Sequence, residues 1–299
     1  MTIVATLAGA LLILLTLADI FEVLFHPLGS GRISRILVKL LWRLFRQLGR
    51  RRHSLLELAG PVAVVSVIGM WLSLLVVGWA LIYLPHLPDE FLVASGPINS
   101  SSARIVETLY FSMSTITTLG YGDITPTSEW LRILSPLEAM FGFGLLTASL
   151  SWVISIYQVL RRRRSLALEI ALLREEQSAI DLSVAEMEPL AAQELLSGLS
   201  SQVNTVWNDM LQFPITYYFA SSDRQSALSV GMPYLLFMAQ EGASTSCPAE
   251  VRLRASMLLG KIHTFTVLLT RNFIDLPPTA SAKEVLEAYA HDHLHAVLE

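Results

Sequence analysis

Cysteine is nearly absent: Cys247 stands alone among 299 residues, which excludes an internal disulfide framework and any zinc site built on cysteines. Charge is scarce too. Asp, Glu, Lys and Arg make up 15% of the chain against 53% hydrophobic residues, a balance unsuited to an ordinary water-soluble fold. The scarcity is concentrated. Residues 59–84 carry no charge at all, and that run exceeds the roughly 20 residues a helix needs to cross a bilayer core. Residues 133–160 carry only Glu138, near their start, and residues 2–25 only Asp19 and Glu22, near their end. The first of these runs has no basic residue ahead of it and is longer than a signal-peptide core, so it reads as a retained helix. No Gly-x-Gly-x-x-Gly follows a strand-like run, which gives no support to a nucleotide-binding domain. No catalytic constellation stands out, so an enzyme is not expected.

The charges that are present are segregated. Arg32, Arg35, Lys39, Arg43, Arg46, Arg50, Arg51 and Arg52 lie between the first two apolar runs and four arginines occupy 161–164, whereas residues 85–130 have one basic residue, Arg104. By the positive-inside bias, the basic stretches are cytoplasmic and residues 85–130 and the amino terminus lie outside. The basic residues of 32–46 recur every three or four positions between Ile33, Ile36, Leu37, Leu40, Leu41, Leu44, Phe45 and Leu48. That spacing predicts a basic amphipathic helix in the inner interface, drawn to anionic membrane lipid by about 1 kcal/mol per basic residue. A voltage sensor would need several supporting helices before it, and one span precedes it. A bare topology signal remains open as the simpler reading. Asp19 and Glu22 are expected to anchor the end of their span near solvent or near Arg32 or Arg35, in preference to sensing protons. Nothing in this charge pattern calls for nucleic acid.

Residues 115–123 read Thr-Ile-Thr-Thr-Leu-Gly-Tyr-Gly-Asp between two apolar runs. A dehydrated potassium ion needs a column of oxygens, and backbone carbonyls replace its water shell when successive ones face a common axis. Turning them so requires alternate residues in left-handed backbone regions, which Gly120 and Gly122 enter without a Cβ penalty. On this string, residues 59–160 resemble the prokaryotic potassium channels with a two-helix pore unit. The resemblance implies a homotetramer with an outer helix, a pore helix over about 103–117, a filter and an inner helix, conducting K+. It implies that Thr118, Leu119, Gly120, Tyr121 and Gly122 form the ion-binding filter, with the side chains of Leu119 and Tyr121 turned away from the ion. Asp123 would cap the filter, supported by a hydrogen bond from Tyr110, which stands where some relatives have a tryptophan. Ser114 stands where some relatives have a glutamate behind the filter. Gly142 falls at the spacing of the relatives' gating hinge, and Gly144 with Ala148 suits either bending or close helix packing. Pro136 is expected near the start of the last span, where its missing amide costs little.

Beyond residue 160 the composition becomes mixed. With no proline or glycine between Leu160 and Leu173, the last span is expected to continue as a helix out of the membrane, with Arg161 to Arg164 held against anionic lipid at its exit. Capping-box spacing at Ser183/Glu186 and Ser281/Glu284, a helix opened by Pro248, and a stripe of Met257, Leu258, Ile262, Phe265 and Leu269 predict about five or six cytoplasmic helices. His291, Asp292, His293 and His295 read as a solvated helix end in preference to a metal site. The expected fold is therefore an all-α membrane protein: a potassium-channel pore with an extra N-terminal transmembrane helix and an α-helical cytoplasmic domain. Its parts are an N-terminal span at 1–25, a basic connector at 26–58, a pore domain at 59–160 and a helical domain at 161–299. The expected function is potassium-selective passive conduction in the cell membrane, with K+ as permeant ion and no cofactor. Two alternatives stay open: a membrane sensor or scaffold signalling through the helical domain, and a potassium-uptake transporter subunit.

Overall fold

The computed structural model describes residues 2–26, 31–50, 52, 54–94, 100–277 and 279–295. Arg51 of the basic connector and residues 95–99 of the outer segment lie outside them. The chain divides into two compact units, one of residues 1–37 with 64–154 and one of residues 38–63 with 155–299. Among the described residues, three helices are long and apolar enough to cross a membrane: α1 (Thr2–Leu24), α4 (Ala59–Tyr83, with the short turn α3, Ser54–Glu57, before it) and α6 (Glu129–Ile180). The last is a single helix of 52 residues. At 1.5 Å per residue it is about 78 Å long, more than twice the roughly 30 Å of a bilayer core. The expected unbroken exit from the third span is therefore present. Pro136, expected at the start of that span, instead lies well inside α6, where its missing N–H leaves the carbonyl of Arg132 without its intrahelical donor.

In the first unit, α4 and α6 share an aromatic core. Trp71 and Trp152 lie 5.8 Å apart, and Trp79 lies 6.1 Å from both Tyr83 and Phe141. Helix α5 (Ser101–Ile116), where a pore helix was expected, is capped by the Ser100 hydroxyl, which accepts from the Ala103 amide. Its ring Phe111 meets Tyr83 of α4 and Phe91 edge-on, each at 5.1 Å. Phe91 opens a two-stranded antiparallel ribbon that an all-α expectation leaves out: β1 (Phe91–Val93) pairs with β2 (Ile124–Pro126), Leu92 opposite Thr125. Glu90 fastens the ribbon, bonded by His86 Nδ1 at 2.7 Å and by Trp130 Nε1 at 3.1 Å. The Ser128 hydroxyl nearby and the His86 bond hold its carboxyl below the usual carboxylate range.

Asp19 is not the half-solvated anchor expected. It is 4% exposed and accepts from the amide of Ile33 at 2.9 Å, from the Ser34 hydroxyl and from Trp71 Nε1 at 2.9 Å. It thus caps the first turn of helix α2 (Arg32–Gly49) from a distance and ties α1 to α4, drawn there by free amides.

The second unit contains the later part of α2, α7 (Pro189–Gln212), a 3-10 turn at Pro214–Tyr218, α8 (Leu228–Gly242), α9 (Ala249–Asn272) and α10 (Ala282–Asp292) around a common core. Helix α9 follows Pro248 and buries Leu258, Ile262, Phe265 and Leu269 as its spacing predicts, but Met257 is 47% exposed. Ser281 and Glu284 form the expected capping box. Ser183 and Glu186 bond in a turn that starts no helix, since α7 begins after Glu188, whose own carboxylate caps it. His291 is exposed as a solvated helix end would be, but Asp292, His293 and His295 are not. Asp292 accepts from Trp42 Nε1 at 2.9 Å and from the Tyr217 hydroxyl at 2.7 Å, and it pairs with Arg46 at 2.8 Å, while His293 and His295 are buried. One face of the basic helix is thus occupied by protein. Its other face leaves Ile36, Leu40, Leu44 and Leu48 exposed in a row.

Two of the four arginines expected to face lipid are likewise held by protein. Arg162 forms a two-pronged bond to Asp209, both arms 2.7 Å, and the Arg163 guanidinium donates to the carbonyls of Thr216 and Phe219.

Candidate functional site

Helix α5 ends at Thr117, and the chain then runs through residues 118–123 with an irregular backbone. Positive φ recurs at every second residue: 59° at Thr118, 51° at Gly120 and 79° at Gly122. Leu119 and Tyr121 are not in that region, so left- and right-handed residues alternate, the pattern that turns successive carbonyls to one side of a strand. The two glycines adopt it at little cost. Thr118 does so against a penalty of roughly 1–2 kcal/mol, and its backbone role was not apparent from the sequence pattern, which singled out the glycines.

The loop is anchored from behind. The Ser114 carbonyl accepts the amides of Leu119 at 2.9 Å and Gly120 at 3.2 Å, and the Thr117 hydroxyl donates to the Met113 carbonyl at 2.6 Å. Beyond the loop the Tyr110 hydroxyl donates to Asp123 Oδ2 at 2.8 Å, joining the pore helix to the outer end of the string, while the Asp123 carbonyl accepts the Ala94 amide at 2.8 Å. Leu119 and Tyr121 are 56% and 69% exposed, so both side chains are largely uncovered in the single chain.

Gly142 lies against the C-terminal end of α5. A Cβ built there would sit 1.9 Å from the Ile116 carbonyl oxygen, so only glycine permits this approach of α6 to α5. Gly144 has nothing within 4 Å of its Cβ position in the single chain. The close packing that the sequence offered to Gly144 is therefore made by Gly142 within the subunit.

A carboxylate does stand beside this apparatus, on α6 and not on α5. Glu138 of α6 is fully buried, with the Tyr83 hydroxyl of α4 2.8 Å from Oε2 and the Ser112 hydroxyl of α5 2.5 Å from Oε1. Ser114, at the position where the carboxylate was sought, bonds the Phe111 carbonyl at 3.0 Å. Glu138 was visible as the lone charge in an apolar run. Its partners were not, because they lie 55 and 26 residues away. Among the described residues no group of three or more His, Cys, Asp or Glu side chains could hold a metal ion.

Comparison with known proteins agrees with this geometry. Residues 67–159 match the model of the family described as Ion channel. The chain is 28% identical over 240 residues to a protein of Bacillus subtilis named Uncharacterized membrane protein YdjJ, covering 77% of this chain and 67% of that one. It is 43% identical over 51 residues to Two-pore potassium channel 5 of Arabidopsis thaliana, covering 17% of this chain and 12% of that one. It is 37% identical over 68 residues to the Calcium-gated potassium channel TvoK of Thermoplasma volcanium, covering 23% and 19%. The chain therefore spans less than a fifth of the length of these two potassium channels. No solved structure matches.

Proposed function

We propose that this chain is the subunit of a potassium-selective channel that conducts K+ passively through a pore shared by four copies. A potassium-channel-type pore region in a mostly α-helical, multi-pass membrane chain is the premise. The observation that carries the reading is the alternation of positive φ at Thr118, Gly120 and Gly122 within the string Thr-Thr-Leu-Gly-Tyr-Gly-Asp, at the end of a capped pore helix. One loop supplies one column of carbonyls, and a potassium filter takes four such loops around an axis. Non-helical backbone at membrane depth is tolerated only where it lines a water-filled path enclosed by protein, which also calls for neighbouring copies around the exposed filter.

In this mechanism a K+ ion exchanges its water for the carbonyls of Thr118, Leu119, Gly120 and Tyr121 and the Thr118 hydroxyl. Gly122 and Asp123 shape the outer mouth. The Tyr110 bond resists collapse of the filter when ions leave it, and the exposed Leu119 and Tyr121 side chains would pack on adjacent subunits. The basic residues of α2 and the exposed Arg161 and Arg164 set the cytoplasmic side, leaving the amino terminus and the ribbon outside the cell membrane. The exposed row of Ile36, Leu40, Leu44 and Leu48 between basic residues suits the inner lipid interface. Because α6 is one helix, rearrangement of residues 161–299 has a direct mechanical path to the pore-lining segment, with Gly142 as the place where bending would begin.

Purified protein in liposomes tests the reading. Uptake of potassium well above that of sodium, abolished by Gly120→Ala, is expected. Equal uptake of both ions would refute it, and no uptake at all in a well-assembled protein would favour a sensor that uses the pore fold as a scaffold.

A further inference from the structure

Glu138 presents a proton-counting problem. Its carboxyl is 0% exposed in an apolar span, and none of the ion pairs among the described residues involves it. A bare carboxylate without a cation is among the costliest groups to place there. Two hydroxyls reach it. Tyr83 lies 2.8 Å from Oε2, and Ser112 lies 2.5 Å from Oε1 while also lying 3.1 Å from the Val76 carbonyl of α4. A serine hydroxyl carries one hydrogen, so it cannot donate to Glu138 and to Val76 at once. With an ionised Glu138, two hydroxyl protons serve three acceptor contacts and a negative charge stays buried. With a protonated Glu138, three protons serve three contacts and no charge remains.

We propose that Glu138 is held as the neutral carboxylic acid and acts as a positioning residue for the filter, donating to Ser112. The chain of bonds then runs one way: the Tyr83 hydroxyl to Oε2, the Oε1 hydroxyl to Ser112, and the Ser112 hydroxyl to the Val76 carbonyl. Apolar burial that keeps an acid neutral so that it can donate is a known use of a carboxyl group. The relay joins three helices at one point. Ser112 sits on α5 six residues before Thr118, so a fixed Ser112 sets the depth and rotation at which the pore helix delivers the filter. One turn beyond Glu138, Gly142 admits the Ile116 carbonyl at the other end of the same contact between α6 and α5. A fully satisfied polar network in a low-dielectric site specifies one arrangement, whereas a partly satisfied one loosens it.

This inference rests on the potassium-pore reading for its functional readout and not for its chemical one. Glutamine reproduces the neutral acid: its carbonyl can accept from Tyr83 and its amide can donate to Ser112. Infrared spectra of the purified parent and of Glu138→Gln at neutral pH should differ by the carbonyl stretch of a buried protonated acid, present only in the parent. In liposomes, the ratio of potassium to sodium flux should be kept by Glu138→Gln. It should fall about tenfold in Glu138→Ala, the scale of one buried hydroxyl bond broken. Ser112→Ala removes the last link without a large cavity and should show a loss of similar size, which keeps the test alive if the Glu138→Ala protein does not assemble. Absence of the infrared band, a Glu138→Gln protein as impaired as Glu138→Ala, or an unimpaired Ser112→Ala would each overturn the proposal. A parent without potassium selectivity would sink the pore reading instead, leaving the infrared result to decide the protonation state by itself.

Discussion

Gly142→Ala separates a packing role from a hinge role at one position. The added Cβ would lie 1.9 Å from the Ile116 carbonyl oxygen and 2.8 Å from its carbonyl carbon. Both are backbone atoms at the end of α5, so no side-chain rotation relieves the clash. Restoring even a 3.0 Å approach requires α6 and the base of the pore helix to part by 1.1 Å, the difference between 3.0 and 1.9. Overpacking of this kind costs about 1–3 kcal/mol, against a gain of up to about 1 kcal/mol from replacing glycine by alanine in a helix. The expected net effect is destabilisation, with the filter displaced because Ile116 lies two residues before Thr118. Gly144→Ala is the internal control: with nothing within 4 Å in the subunit it should gain helix stability. Thermal unfolding and flux measured on the same preparations check both halves. A Gly142→Ala protein as stable and as selective as the parent would refute the packing argument. One equally stable but locked in a single conductance state would show the glycine to be a hinge alone.

Further expectations follow from single contacts. Tyr110→Phe removes the bond to Asp123 and should hasten the loss of conduction when external potassium is low; unchanged decay would make that bond idle. Asp19→Ala leaves the amide of Ile33, the Ser34 hydroxyl and the Trp71 indole without their acceptor, so the apparent unfolding temperature should drop by several degrees, whereas Glu22→Ala should have little effect. Acidification should release the outer ribbon: the folded pKa of Glu90 is depressed, so its contribution is complete above the ordinary glutamate value of about 4.3 and is lost as pH falls through the lower folded value. A fluorescence transition below about pH 4 in the parent, missing in Glu90→Gln, is expected through Trp130; a transition shared by both would point to another group.

The pore string and the spans were legible because their constraints are local. A charge-free run of 26 residues from 59 to 84 has no good alternative to a spanning helix, and two glycines at alternate positions announce an unusual backbone before any contact is known. The left-handed backbone of Thr118 escaped notice because a threonine gives no such signal. The long helix through residues 160–173 was legible from the absence of breakers. What stayed hidden depends on partners far along the chain. Asp19 and Ser34 come from different helices, Trp42 meets Asp292 across 250 residues, and Glu138 gathers groups from two other helices. The ribbon of β1 and β2 has strands of three residues, too short for a period-2 pattern to declare itself. Met257 lies on the helical spacing of a buried stripe yet faces out, since spacing gives the stripe but not its edges.

The central claim is selectivity, and a reversal potential measures it most directly. With the purified protein in a planar bilayer, potassium chloride on one side and sodium chloride at the same concentration on the other, current should reverse at a voltage far from zero, of the sign set by potassium leaving its own side. A reversal near zero in the unmodified protein, with clear single-channel openings, would contradict the account.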